Sequence, residues 1–116
     1  MNGSKLLHDA GELVEKGWCQ GTEARDASGR ATDVRGSDAI SWSLLGALQA
    51  TTVSDPSTQV QDVGDAVAAL AELIMDPSLA SWNDAESRTK LEVVTVLRNA
   101  ELLVLEQFLY HEISQN

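Results

Sequence analysis

This chain is short of several things, and each shortage excludes something. One cysteine, Cys19, in 116 residues cannot form an internal disulfide, so a fold stapled by bridges is excluded. The two histidines, His8 and His111, lie at opposite ends with no second ligand at helical spacing, so no metal site and no cofactor are expected. Three Trp, one Tyr and one Phe are the whole aromatic stock, which leaves the core mainly to aliphatic side chains. No apolar run approaches the ~20 residues that span a bilayer. The segment Met1 to Lys5 runs straight into an amphipathic pattern, without the basic and then apolar stretches of a secretory leader. A soluble protein of a reducing cytoplasm is the expectation. Positive charge is scarce too: eight Lys and Arg face eighteen Asp and Glu, a net charge of −10. Such a field repels nucleic-acid backbones and anionic membranes, so direct binding to either is not expected. Two readings of the charge stay open: attraction to a basic surface on a protein partner, or solubility alone.

What is present is helical periodicity. At 43% hydrophobic and 22% charged, the chain has the balance of one folded domain, taken as residues 1–116. Leu6, Leu7, Ala10, Leu13 and Val14 form one stripe of a first helix, with Ser4 as cap and Gly17 closing it in the left-handed position. From Trp18 to Gly36 the periodicity disappears. Within this stretch Asp26-Ala27-Ser28-Gly29 reads as a type I turn joining Glu23-Ala24-Arg25 to Arg30-Ala31-Thr32 in a short hairpin. Ser37-Asp38 then caps a second helix carrying Ile40, Trp42, Leu44, Leu45, Ala47 and Leu48. Pro56 opens a third, striped by Val60, Val63, Val67, Leu70, Leu73 and Ile74, with Gly64 marking a close helix crossing. Leu79 to Asp84 is a connection from which Trp82 plugs the core. The last helix runs from about Ala85 to about Ile113, uninterrupted by Gly or Pro, with Leu91, Val94, Leu97, Glu101, Val104 and Phe108 near one line. The predicted fold is a mainly all-α, four-helix domain with an irregular loop or short β-hairpin between helices 1 and 2 and a long C-terminal helix.

Four elements occur in order: Trp18-Cys19-Gln20-Gly21, the Asp26-Ala27-Ser28-Gly29 turn, Leu45-Gly46-Ala47-Leu48, and Trp82-Asn83-Asp84. On these the chain resembles an uncharacterised domain-of-unknown-function family of small bacterial and phage proteins. The resemblance covers about residues 6–100, with 101–116 reading as a C-terminal extension. It implies a bacterial host cell and names no activity. Ser41 and Ser43 stand where members of that family often carry cysteine, so no metal or redox role is carried over.

Candidate sites each have a plainer reading. Trp18 and Trp82, with Asn83, either line a ligand groove between two loops or serve as core pieces and a helix cap. Arg25, Arg30 and Arg35, three of five arginines, either grip an anion or pair with Glu23, Asp26 and Asp33. Cys19 has no histidine nearby in sequence to make it a nucleophile. The last helix is apolar almost all round at Leu102, Leu105, Phe108 and Leu109, more surface than one small core needs, which points to a homo-oligomer.

With no catalytic constellation in view, the leading expectation is a small acidic, non-enzymatic interaction module with a protein partner, self-associating. Two alternatives remain. One is a phage-type, anti-CRISPR-like inhibitor of a host defence complex, an acidic nucleic-acid mimic that occupies a basic nucleic-acid-binding surface. The other is a small protein that binds an anionic ligand.

Overall fold

The computed structural model describes residues 3–114, with side chains as far as Tyr110; the His111 side chain lies outside the described residues. Helix α1, Ser4–Lys16, buries Leu6, Leu7, Ala10 and Val14, with Gly11 between them. Its cap is Gly3 rather than Ser4, which is already helical. Gly17 does end the helix, but in extended backbone (φ −173°) and not in the left-handed form expected of it. Its lack of a side chain is still needed, because a Cβ there would collide with the Ile40 carbonyl oxygen.

The irregular segment holds a two-stranded antiparallel sheet, β1 (Ala24–Arg25) with β2 (Ser41–Trp42). The expected turn is present: the Gly29 N–H donates to the Asp26 carbonyl at 3.0 Å, with Gly29 left-handed at φ 86°. The expected return strand contributes only an isolated bridge, Arg25 to Ala31. Residues 41–42 are the sheet partner instead. Ile40 N–H donates to the Arg25 carbonyl at 2.9 Å and Ser43 N–H to the Glu23 carbonyl at 3.0 Å. The second helix therefore does not start at Ser37-Asp38. A strand and a helix follow one another there, and their apolar residues read in sequence as one stripe.

Helix α2, Leu44–Ser54, is capped by the Ser43 hydroxyl, which accepts from the Gly46 N–H at 3.0 Å. Helix α3, Val60–Ile74, starts four residues after Pro56, on a capping box of Gln59 and Asp62. Its buried face is Asp62, Ala66, Ala69, Leu70 and Ile74. Val60, Val67 and Leu73, assigned to the core by periodicity, are exposed. The small Ala66 and Ala69 bring α3 close to its neighbours, and that rotates the larger valines outward. Gly64 is on the open side as well; a Cβ there would meet nothing within 4 Å, so no close crossing explains it.

The connection after α3 contains a one-turn helix, α4 (Leu79–Asn83), capped by Ser78. Helix α5, Lys90–Ser114, begins later than expected. Thr89 and Glu92 form its capping box: the Glu92 N–H donates to the Thr89 hydroxyl at 3.2 Å, and the Thr89 N–H to the Glu92 carboxylate at 3.0 Å. Helix α1 makes its most extensive packing with α5. The two run antiparallel, since His8 lies against Glu101 and Glu15 against Arg98. Val93, Val94, Leu97, Ala100 and Val104 are the buried residues of α5. Burial stops at Val104, and every residue from 105 to 110 is exposed. Among the described residues no helix is long and apolar enough to cross a membrane.

Candidate functional site

Three of the four elements singled out in the sequence, Trp18–Gly21, the start of α2 and Trp82–Asp84, meet at one place, and its centre is Asn83. This side chain is fully buried. Its Oδ1 accepts from the Trp18 indole Nε1 at 2.8 Å and from the Leu44 backbone N–H at 3.0 Å. Its Nδ2 donates to the Cys19 carbonyl at 3.2 Å and to Asp84 Oδ1 at 2.9 Å. An amide has two donor hydrogens and two acceptor lone pairs, so Asn83 is saturated and has nothing left for a ligand. It is not the cap of the long helix either: it ends α4 and ties that turn to the first loop and to the start of α2.

The surrounding bonds extend the same tie. Gln20 Nε2 donates to the carbonyls of Asn83 and Ala85, both at 2.9 Å, and the Gly21 N–H donates to Asp84 at 3.0 Å. Trp42 Nε1 donates to the Val34 carbonyl at 3.1 Å. Gly46, the glycine of Leu45-Gly46-Ala47-Leu48, lets the first turn of α2 approach the chain at Glu23, where a Cβ would collide with the carbonyl oxygen. Trp82 is half-buried under the Arg88 guanidinium, 3.9 Å from the ring centroid, and Arg88 Nε donates to the Trp82 carbonyl at 2.8 Å.

The three arginines do not form one cluster. Arg25 is directed inward, Nη1 to the Gly29 carbonyl and Nη2 to the Gln20 carbonyl, both at 2.8 Å, so it braces the turn. Arg30 is exposed at the hairpin, and Arg35 lies 3.8 Å from Asp33. Cys19 is buried, with its thiol 3.7 Å from the Thr22 carbonyl, and burial pushes the thiol up from its ordinary value, away from thiolate reactivity.

Two open grooves flank the hub. One, of about 300 Å³, runs between the two loops along Gly21, Glu23, Leu45, Ala80 and Asp84. The other, of about 410 Å³, is lined by Glu23, Thr32, Asp33, Arg35, Gln49 and Val53. Of the three sequence-picked arginines, only Arg35 borders either one. Many carboxylates are engaged in local geometry: Asp26, Asp33, Asp55 and Asp76 close turns, while Asp62 and Glu92 cap helices.

Sequence reasoning overlooked a second charged assembly, between α1 and α5. The Arg98 guanidinium packs against Gly11, donates to Glu12 at 2.9 Å and to the His8 carbonyl at 3.1 Å, and lies 3.7 Å from both Glu15 and Glu101. The signal available was the flat face at Gly11 opposite a lone arginine. Among the described residues no group of three or more His, Cys, Asp or Glu is arranged to hold a metal ion.

The free end of α5 differs in kind from these sites. Leu102, Leu105 and Leu109 follow one another at spacings of three and four residues, and they are 63%, 36% and 58% exposed. Phe108 lies two turns on from Glu101, on the side facing α1, and it too is exposed. The row of α5 that α1 covers thus continues beyond the first residue of α1.

No curated protein and no solved structure matches the chain. A family model, described as a family of unknown function (DUF6197), matches residues 2–102. The match takes in the hub and the Asp26–Gly29 turn and ends at Leu102, so Leu105, Phe108 and Leu109 lie beyond it. On the extent of the match this chain belongs to the DUF6197 family of unknown function.

Proposed function

We propose that this protein is a small, acidic, non-enzymatic interaction module of the cytoplasm that contacts other protein surface through the free end of α5. The observation that carries this reading is the apolar face of Leu102, Leu105 and Leu109, left in water on a helix that continues to Ser114. Exposed contiguous apolar surface of this kind marks interaction sites in soluble proteins. The hub supports the reading from the other side, because the polar groups a small-molecule site would use, Asn83 and Arg25 above all, are consumed in holding loops together. The carboxylates tied up in turns and caps favour an interaction module over an array shaped like a phosphate backbone.

The test is to place a photo-crosslinking residue at position 109 and, in a separate variant, at position 30 on the hairpin. Protein adducts should form from 109 and not from 30. Adducts from neither position, or from 30 alone, would remove this reading.

A further inference from the structure

We infer that the surface on the free end of α5 is covered by a second copy of this chain, the two α5 helices lying antiparallel with Leu105 of one copy against Leu109 of its partner. This rests on the interaction reading above and names the occupant.

The seam is built for a helix of its own kind. Spacings of four, three and four residues from Arg98 through Leu102 and Leu105 to Leu109 are the alternation by which two helices interlock side chains along a shallow supercoil. Near its base the seam is closed, because Arg98 turns toward α1 and its glutamates. Only the distal part, from Leu102 outward, is open. Residues 105–114 extend roughly 15 Å at ~1.5 Å per residue, long enough for two or three interlocking layers. Antiparallel alignment centred near residue 107 keeps the two bodies at opposite ends of the pair, whereas parallel alignment would press them together. It also sets opposed helix dipoles side by side.

Area points the same way. The exposed parts of Leu102, Leu105, Phe108 and Leu109 amount to on the order of 400 Å² per copy, the size of a weak, reversible pair. Each copy carries ten negative charges in excess, so two copies repel. Salt screens that repulsion over ~10 Å at ~0.1 M. Self-association therefore strengthens as salt is raised. A basic partner protein held by the acidic field would respond in the opposite sense.

The experiment uses the purified full chain. Sedimentation equilibrium from about 1 μM to about 1 mM, in low and in high salt, should show a monomer–dimer equilibrium that tightens several-fold on adding salt. The double variant Leu105→Glu with Leu109→Glu should weaken it at least about tenfold, as buried like charges do. Alignment is read by mixing two single variants, Leu105→Cys and Leu109→Cys, under mild oxidation. Disulfide dimers should form between unlike chains and not between like ones. A species that stays monomeric throughout overturns the second-copy assignment, while adducts from position 109 would still uphold the interaction module. A dimer untouched by the double variant overturns the seam, and like-with-like crosslinks overturn the antiparallel alignment.

Discussion

Asn83 is a polar side chain with none of its surface in water, and Leu109 is an apolar one with 58% of its surface exposed. The two regions they represent invert the usual relation between polarity and burial. At the hub the inversion is resolved within the chain, because each donor and acceptor of the amide has a partner, in the first loop at Trp18 and Cys19, at the start of α2, and at the adjacent Asp84. At the free end of α5 no described residue resolves it. A buried polar group that is fully bonded is a structural feature, whereas an apolar row left in water is the observation on which the proposed interaction rests.

The largest effect expected at the hub comes from Asn83→Ala. It strands the Leu44 N–H, the Trp18 indole N–H and the Cys19 carbonyl together, and each buried group without a partner costs about 1–3 kcal/mol. A loss of about 3 kcal/mol or more is expected in urea unfolding, followed by tryptophan fluorescence. A loss under about 1 kcal/mol would break the contrast, because it would mean that water replaces the amide readily. Gly46→Ala comes next, at about 2 kcal/mol. The added methyl meets the Glu23 carbonyl, part of the backbone itself, and α2 must withdraw from the sheet to make room. Loss of the Ser43 N–H to Glu23 bond, read by hydrogen exchange, would locate the damage.

Legibility from sequence divides along the same line. The helical character is legible because it is periodic, and the last helix's excess of apolar surface because its apolar residues overrun the one face a period would fill. The turn at Asp26–Gly29 was legible because Asp and Gly occupy the positions its geometry demands. The pairing of Ala24–Arg25 with Ser41–Trp42 was not. A two-residue strand has no period, and its partner runs so directly into α2 that Ile40, Trp42 and Leu44 read as one helical stripe. The face of α3 was misjudged for a related reason: alanines permit close approach without announcing it in hydropathy, so Val60, Val63 and Val67 looked like the core side. The part Asn83 plays in joining the loops is not legible in the sequence, since capping and bridging both use a short amide and only tertiary contacts distinguish them.

Gly64→Ala should act in the opposite direction, stabilising by about 1 kcal/mol, the ordinary helix preference of alanine over glycine where nothing is displaced. A destabilised Gly64→Ala alongside a tolerated Gly46→Ala would reverse the assignment of which glycine is needed for close approach.

Acid gives a smaller and more diffuse response. The Ser28 hydroxyl, with backbone N–H groups of Arg30, Ser28 and Gly29, holds the Asp26 carboxyl below its ordinary 3.8. The Ser57 hydroxyl and N–H, with Lys5, hold Asp55 below the same value, and the Thr89 N–H does so for Glu92 against 4.5. Because the folded values lie below the unfolded ones, these contributions are whole above about 4.5 and are lost as pH falls through and beneath that range. The urea midpoint should hold level toward pH 5 and fall below it. Ser28→Ala should flatten the fall in proportion to Asp26's share.

The smallest stability effect is expected where the largest effect on association is. Leu109→Glu replaces an exposed apolar side chain at a site past the last buried position of α5. In dilute protein, where only monomer is present, unfolding should shift by no more than about 0.5 kcal/mol, the range for exposed positions away from special features. Circular dichroism should be unchanged. A loss of 2 kcal/mol or more in the monomer would mean that the free end of α5 folds back on its own domain. The contrast with Asn83 would then collapse into two regions that both serve the fold.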